Sequence, residues 1–365
     1  MTATGRGEPS PRLQQSDTVP AMLPERAPRR PTMRDVAALA GVSLSTVSRV
    51  VSGSQQVDPE LAVKVDKAVE MLGYRHNSAA GNLRRADRLS ASIGLVFEDV
   101  SNPFFSAVHR GIEDVARTRS VLTFAGSSDE NPQRERELAE AFLGRRVDGL
   151  VIVPASADHN YLARDVAAGM ALVFVDRPPH FIDADAVMSD NAGGARAAVA
   201  HLADAGHRRI AFLGDRPDIF TAAERLRGYR EALAQHGGEH DDALVHHPAF
   251  RAADVDTTVR ELLAGADPPT ALFTGQNLIT LAALQTLHEL GLQHTVALVG
   301  FDDIPLAALL QPGVTVVAQD PYALGKHAAE LLFSRLDGYR GPSRREVLPT
   351  TLIARGSGEI SPSAR

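Results

Sequence analysis

A short segment near the amino-terminal end of the chain carries side chains that could read DNA. If the segment is helical, its valines occupy one face and the opposite face presents Leu44, Ser45, Ser48 and Arg49. The fork of an arginine matches the edge of guanine, and hydroxyl groups can bond to bases or phosphates. A compact helical pair that presents such a face fits the major groove of DNA. These residues therefore indicate DNA recognition.

Two short helices around a glycine turn would position this face. Thr32, with Asp35 three residues later, predicts an N-cap with a short capping box. We expect Val36, Leu39 and Ala40 to share one face of the first helix. Gly41 can adopt the positive φ that ends a helix. Ser43 can cap the second helix.

A third helix is expected to complete the core of this unit. Asp58 and Pro59 predict its start, since an N-cap residue precedes a proline at the first helical position. Apolar residues then repeat at helical spacing until Gly73. Without a DNA role, the same pattern would describe a small three-helix packing unit.

This stretch resembles the DNA-binding headpiece of the lactose-repressor/galactose-repressor family. The family pattern, Thr-x-x-Asp-Val-Ala-x-x-Ala-Gly-Val-Ser-x-x-Thr-Val-Ser-Arg-Val, occurs in full from Thr32 to Val50. The resemblance implies that Leu44 and Ser45 read bases and that Arg49 makes a third contact. It assigns further positions to the DNA interface: Thr32, Thr46 and Ser48.

The resemblance continues into a hinge helix, His76-Asn77-Ser78-Ala79-Ala80-Gly81-Asn82-Leu83. It implies that Asn77 contacts DNA and that Leu83 wedges into the minor groove at a dimer axis. His76 replaces the usual proline of the family. Gly81 costs the helix about 1 kcal/mol, so we expect the hinge to fold only on DNA.

Composition narrows the class of protein. The chain has 365 residues and no cysteine, which excludes disulfides, thiolate metal sites and a cysteine nucleophile. No apolar run approaches the roughly 20 residues of a membrane span, and residues 1–30 lack a secretion signal. We expect a cytoplasmic, nucleoid-associated protein with no membrane partner. The composition of residues 1–30 predicts a disordered tail. The alternatives are a solvated extension or a true start at Met22.

Charge is unevenly distributed. The net charge is −7, yet residues 31–88 hold eight Lys/Arg against six Asp/Glu. The remaining body of the chain is therefore strongly acidic, and it should be repelled by DNA except where the headpiece engages it.

After Ser90 the pattern changes to apolar runs that alternate with amphipathic helices. The strands that we expect are Ile93–Phe97, Val121–Ala125, Gly149–Val153, Ala171–Val175, Arg209–Leu213, Ala271–Thr274 and Val296–Gly300. The helices are Phe105–Arg117, Arg134–Leu143, Gly194–Ala205, Ala222–Gln235, Asp254–Leu263 and Leu278–Leu290. This alternation predicts an α/β fold with two doubly wound, parallel sheets in series and a ligand cleft between the lobes.

This part also resembles the effector-binding core of the same family, which is similar in fold to periplasmic sugar-binding proteins. Its signposts are Asn102-Pro103-Phe104-Phe105, Arg146-Val147-Asp148-Gly149-Leu150, Asp190-Asn191-x-x-Gly194, Gly206-His207-Arg208-Arg209-Ile210, Glu224-Arg225-x-x-Gly228-Tyr229, Gly300-Phe301-Asp302-Asp303 and Leu352-Ile353-x-Arg355. The predicted organisation is a tail (1–30), a helix-turn-helix headpiece (31–76), a hinge helix and linker (77–89), a two-lobed effector-binding and dimerisation core (90–357) and a second tail (358–365).

Several core residues could bind a small molecule in the cleft. Asp176 and Asp302 each follow a strand, so both should face the cleft, and Arg225 begins a helix. Carboxylates that accept from hydroxyls, with an arginine that donates, suit a sugar or polyol. Phe104 or Phe105 could stack on an apolar ligand face. The bland alternatives are helix caps or an interlobe salt bridge for the aspartates, a structural ion pair for Arg225 and a core role for the phenylalanines.

Gln276 and Gln319 complete the predicted effector site. Family members often have Asn-Asp where this chain has Gln276-Asn277, so one carboxylate is lost. Either glutamine could bond the ligand or support a residue that does. Overall the resemblance implies a transcriptional regulator, more typically a repressor, that binds a pseudo-palindromic operator as a homodimer under the control of a sugar-like effector.

Enzymatic interpretations find little support. The motifs of phosphate-binding loops, dinucleotide folds, serine hydrolases and zinc proteases are absent. We expect no cofactor and no metal, since the cluster Glu239-His240-Asp241-Asp242 with His246-His247 lies in a polar loop. His207 fits a capping role. The alternatives from other classes are a sugar-binding transport component and a sugar-modifying α/β enzyme.

Arg49→Ala should remove sequence-specific binding while salt-sensitive, non-specific binding remains, because base contacts specify and phosphate contacts do not. Titrations of operator and random DNA at several salt concentrations measure both. Equal loss on the two DNAs would contradict a base-reading role for Arg49.

Overall fold

The structure is a computed structural model, and it describes residues 31–51, 57–75, 90–238, 241–248 and 251–362. Our predictions for the tail 1–30 and for the hinge, including Asn77 and Leu83, lie outside these residues. The described chain falls into two units, a helical headpiece and an α/β core, and each is treated separately below. No helix within the described ranges is long and apolar enough to cross a membrane.

The headpiece contains helices α1 (Met33–Ala40), α2 (Leu44–Val51) and α3 (Pro59–Leu72). Thr32 accepts a hydrogen bond from the backbone of Asp35, whose carboxylate accepts from the backbone of Thr32, so the capping box is present. Gly41 ends α1 with φ +66°, and Gly73 ends α3 with φ +59°. The local signals of the sequence therefore placed all three helices.

A small apolar core joins these helices. Its fully buried members are Val36, Val47, Val65 and Ala68, and Tyr74 closes it. Leu39, one turn after the buried Val36, is 48% exposed.

The core of the protein consists of two lobes, each with a six-stranded sheet. The strands are β1 (Ser92–Phe97), β2 (Leu122–Ser127), β3 (Gly149–Ile152), β4 (Ala171–Val175), β5 (Asp185–Ser189), β6 (Ile210–Leu213), β7 (Val245–His246), β8 (Ala271–Thr274), β9 (Ala297–Phe301), β10 (Thr315–Ala318), β11 (Arg345–Leu348) and β12 (Thr351–Ile353). The sheet of lobe 1 has the order β11-β5-β4-β3-β1-β2, and that of lobe 2 the order β12-β10-β9-β8-β6-β7. All pairings are parallel except that of β12 with β10.

Helices cover both faces of the sheets. They are α4 (Pro103–Thr118), α5 (Pro132–Gly144), α6 (Ala163–Ala167), α7 (Asn191–Asp204), α8 (Phe220–His236), α9 (Ala252–Ala264), α10 (Asn277–Glu289) and α11 (Pro321–Leu336). The α/β class and the two-lobed architecture are thus confirmed. Strand β4 and strand β8 have the predicted bounds, and the other predicted elements shift by a few residues at their ends.

The two lobes are not arranged in series, which corrects our expectation. After β10 the chain returns to lobe 1, where α11 packs against α4 and β11 adds to the sheet, and β12 then crosses back. The chain therefore passes between the lobes three times. Asp190 and Asp320 stand at the first two crossings, and each caps the helix that follows.

The carboxyl-terminal tail also begins later than expected. Glu359 accepts a hydrogen bond from the Thr315 hydroxyl at 3.0 Å, and the Ile360 carbonyl lies 2.7 Å from Nε2 of His207. These residues therefore belong to lobe 2, and buried His207 has a structural role.

The contact between α4 and α11 depends on two glycines. A Cβ at Gly325 would lie 2.0 Å from the Val108 carbonyl oxygen, and one at Gly111 would lie 2.2 Å from that of Tyr322. The helix that returns to lobe 1 can approach its partner only because these side chains are absent.

Gly325→Ala should lower the free energy of unfolding by about 1–3 kcal/mol, since the added methyl group forces the helices apart. Urea unfolding followed by circular dichroism measures the loss. Gly144→Ala is the matched control, because no atom lies within 4 Å of its Cβ position. The control should not destabilise the protein, and equal losses in both variants would contradict the explanation.

Candidate functional site

The recognition helix α2 presents the predicted face. Leu44 is 44% exposed, Ser45 and Arg49 are exposed, and Ser48 is half-buried. Ser43 caps the helix through a 3.1 Å hydrogen bond from the backbone of Thr46, whose hydroxyl it also contacts at 2.8 Å. The capping hydroxyls fix the first turn of α2, where base-reading residues are expected.

In the core, all seven residues of the predicted effector site line one cavity between the lobes. They are Phe104, Phe105, Asp176, Arg225, Gln276, Asp302 and Gln319. The cavity contains about 380 Å³ that no protein atom occupies, including space open to solvent. Its position at the carboxyl ends of both sheets is where open α/β sheets bind ligands.

Asp176 and Asp302 hold equivalent places in the two lobes. Asp176 follows β4 and Asp302 follows β9, and both adopt left-handed backbones, with φ +71° and +72°. The backbone of Asp176 bonds to Val187, and that of Asp302 to Val317, on the adjacent strands. This strained bend turns each carboxylate from its strand into the cleft, and strain of this kind clusters at functional sites.

Arg225 is buried, and its neighbours in lobe 2 hold it in place. Its Nε donates to Asn191 Oδ1 at 2.7 Å, and its Nη1 donates to the Gly275 carbonyl at 2.6 Å. The guanidinium lies 3.9 Å from the centre of the Phe301 ring, and Nη1 is 3.9 Å from Asp302 Oδ2. Within the described part of the chain Nη2 has no hydrogen-bond partner, which leaves a donor for a ligand.

The two glutamines take different positions. Gln319 donates from Nε2 to Asp302 Oδ1 at 2.6 Å, and its Oε1 is buried without a partner in the described residues. Gln276 caps α10 by accepting from the backbone of Leu278 at 2.9 Å. Gln319 therefore offers an acceptor to a ligand, whereas Gln276 already has a structural bond.

The phenylalanines contribute to the core as well as to the cavity wall. Phe105 is 4% exposed and stacks on Phe97 at a centroid distance of 6.0 Å. Phe104 meets Phe105 edge to face at 5.1 Å and remains partly exposed. The core alternative thus applies mainly to Phe105.

A hydrogen bond joins the two walls of the cleft. Asn102 caps α4 in lobe 1, and its Oδ1 accepts at 2.8 Å from Nδ2 of Asn277 in lobe 2. Both side chains are buried. The lobes are therefore in contact next to the cavity.

A second set of charged residues, which were not predicted from the sequence, lines the same cavity: Glu98, Arg177 and Asp215. Arg177 donates to the Pro154 carbonyl at 2.8 Å, to Glu130 at 2.5 Å and to Glu98 at 3.3 Å. Its charge is thus shared among residues of lobe 1. The signal that revealed Asp176, a charged residue directly after a buried strand, also applies to Glu98 after β1.

The surroundings perturb these carboxyl groups. Burial, reinforced by the negative charge of Glu130, raises the pKa of Glu98 from 4.5 to about 8. Burial likewise raises the pKa of Asp215 from 3.8 to about 6 and shifts that of Asp176 upward. The cavity therefore has more carboxyl groups than its two arginines can neutralise.

Comparison with known proteins identifies the family. The description "Bacterial regulatory proteins, lacI family" matches residues 32–77, and "Periplasmic binding protein-like domain" matches residues 199–358. The transcriptional regulator CelR of Thermobifida fusca is 35% identical over 337 residues, which cover 90% of this chain and 99% of CelR. The protein belongs to the LacI/GalR family.

Other members agree with this assignment. GalR of Escherichia coli K12 is 31% identical over 89% of this chain and 95% of its own. A CelR-cellobiose complex matches with a TM-score of 0.65 and 34% identity, over 90% of this chain and 100% of that one. The lac repressor dimer bound to operator and the anti-inducer ONPF shares the fold, with a TM-score of 0.78 and 24% identity over 90% of this chain and 99% of that one. As a LacI/GalR member, the protein is a DNA-binding transcriptional regulator and not an enzyme.

No group of three His, Asp or Glu in the described ranges could hold a metal ion. Glu239 and His240 of the polar loop lie outside those ranges.

Glu98→Gln should change how stability depends on pH. The folded protein raises the pKa of Glu98 above its unfolded value. The contribution of this carboxyl group to the free energy of unfolding is therefore fully present below about pH 4.5 and is lost as the pH rises through about 8. In thermal unfolding between about pH 5 and about pH 9, the stability of the variant relative to the wild type should increase as the pH rises. Parallel profiles would contradict the assignment.

Proposed function

We propose that this regulator is a repressor that binds a pseudo-palindromic operator as a homodimer and responds to a sugar-like effector in the interlobe cavity. Its place of action is the nucleoid, where the operator lies. The observation that carries the effector site is the convergence of all seven predicted residues on one cavity. Paired carboxylates, an arginine donor and a glutamine acceptor suit the hydroxyl groups of a sugar.

The dimer is supported by apolar side chains on both lobes. Leu122 and Phe124, on the edge strand β2, are 67% and 44% exposed. Leu278 and Leu281, on α10, are 37% and 43% exposed. An edge strand with exposed apolar residues invites pairing unless another chain covers it.

Linkage explains the response. An effector that binds one arrangement of the lobes better than another shifts their equilibrium by its difference in binding free energy. If the arrangements differ in operator affinity, DNA binding changes by the same coupling free energy, typically about 1–3 kcal/mol.

Selection of genomic DNA fragments with the purified full-length protein, repeated with a panel of sugars, tests the proposal. We expect enrichment of a site with two half-sites related by a dyad, and one compound that releases or tightens binding. An enriched site without dyad symmetry would contradict the homodimer. A site that no compound affects, while none binds the protein, would contradict the effector cavity.

Arg225→Ala should keep operator binding but abolish the response to the effector, because its unpaired Nη2 is lost from the cavity. Fluorescence anisotropy with labelled operator, with and without effector, measures both. Arg227→Ala is the matched control, since this half-exposed residue on the same helix pairs with Glu224 and Glu231. An unchanged response in Arg225→Ala would place the effector elsewhere.

A further inference from the structure

The cavity has a net negative lining on one side. Asp176, Glu98 and Asp215 line it, and the fields of the other two both raise the pKa of Glu98. This side includes carboxylates from both lobes, since Glu98 and Asp176 belong to lobe 1 and Asp215 to lobe 2. The buried side chain of Arg177 also lines this side.

The arginine on this side is shared by several carboxyl groups. Arg177 donates to Glu130, Glu98 and the Pro154 carbonyl. Its Nε has no hydrogen-bond partner in the described residues and forms an ion pair with Asp176 at 3.4 Å, so one positive charge serves three carboxyl groups. Arg225 is held by lobe 2 and lies 3.9 Å from Asp302. Two guanidinium groups thus face four lining carboxyl groups, with Glu130 close behind.

Asp176 has an ion-pair partner in Arg177, but its carboxylate lacks hydrogen bonds within the described ranges. It is 4% exposed, and its oxygens accept no hydrogen bond from the described residues. Burial of such a group is costly unless a donor or cation meets it. A ligand group that donates hydrogen bonds can therefore satisfy the oxygens of Asp176.

Resting on the proposed function, we propose that the effector is a polyhydroxylated molecule that carries a protonated amine, and that Asp176, Glu98 and Asp215 bind this ammonium group. An ammonium has three donors and no acceptor, so each carboxyl group can take one hydrogen bond. The hydroxyl groups of the same molecule lie toward Arg225, Asp302 and Gln319. An anionic sugar acid or sugar phosphate would be repelled by the same lining.

Binding of a cation should release a proton. Before a ligand binds, Glu98 is largely protonated at pH 7, because its pKa is about 8. An ammonium favours the ionised carboxylate and lowers that pKa, whereas a neutral sugar does not. The groups that set this titration are the ones that face Glu98: Glu130, Arg177, Asp176 and Asp215.

Isothermal titration calorimetry with the full-length protein tests the proposal. The probes are glucose, galactose and mannose, each as the parent sugar, the 2-amino sugar and the N-acetylated amino sugar. In at least one series the amino sugar should bind about tenfold more tightly, or better, than both neutral forms. Titrations at pH 7 in buffers of different ionisation enthalpy should show release of roughly half to one proton for the amino sugar.

Two variants separate the contact from a general effect of charge. Glu98→Gln should lose the proton release and most of the preference for the amine. Glu140→Gln removes the same charge from an exposed position on α5 of lobe 1 and should behave like the wild type. Proton release that persists in Glu98→Gln would overturn the assignment.

The outcomes also separate this inference from the proposed function. Tight binding of a parent or N-acetylated sugar, with no preference for the amine, overturns the ammonium site but leaves a sugar-responsive regulator. Binding of none of the amino sugars overturns the ammonium site as well. If no sugar of any kind binds, the effector cavity itself is contradicted.

Discussion

The buried guanidinium of Arg225 constrains the whole ligand-binding half of lobe 2. It connects the first turn of α7, the loop after β8 and the aromatic ring at the end of β9 through Asn191, Gly275 and Phe301. A buried charge is tolerated only when such partners compensate for its lost hydration. The same contacts that stabilise the charge also hold one donor ready at the cavity, so fold and function share one set of interactions.

The sequence predicted the elements whose signals are local. Strand β4 is an unbroken apolar run, β8 is apolar up to its last residue, and helices α1 and α3 of the headpiece carry caps at both ends. It missed β11, which alternates between exposed and half-buried residues. It also missed α11, although Asp320 and Pro321 provide a start signal like that of α3. The prediction that the two lobes follow one another in the chain was wrong, because tertiary packing decides to which lobe a late helix returns.

The residues of the candidate site also divide into those that could be predicted from the sequence and those that could not. Asp176 and Asp302 could be placed because each follows a buried strand, and parallel strands bring their carboxyl ends to one edge. The contact between Arg177 and Glu130 could not be predicted, since these residues lie 47 positions apart in the chain. Their meeting depends on a left-handed backbone at Glu130, with φ +54°, that no local pattern announces.

The return of α11 to lobe 1 has a consequence for synthesis on the ribosome. The buried cluster of lobe 1 includes Leu324, Ala328 and Leu332, so that cluster is incomplete when the first five strands have emerged. The ribosome must then add the whole of lobe 2 before α11 appears, a delay of roughly ten to thirty seconds at ordinary elongation rates. During that interval the apolar face that receives α11 is open to water, while strands β6 to β10 of lobe 2 emerge as one contiguous stretch. The newborn chain completes both lobes only with its last residues, since α11 and β11 complete lobe 1 and β12, with the segment up to Ile360, then completes lobe 2.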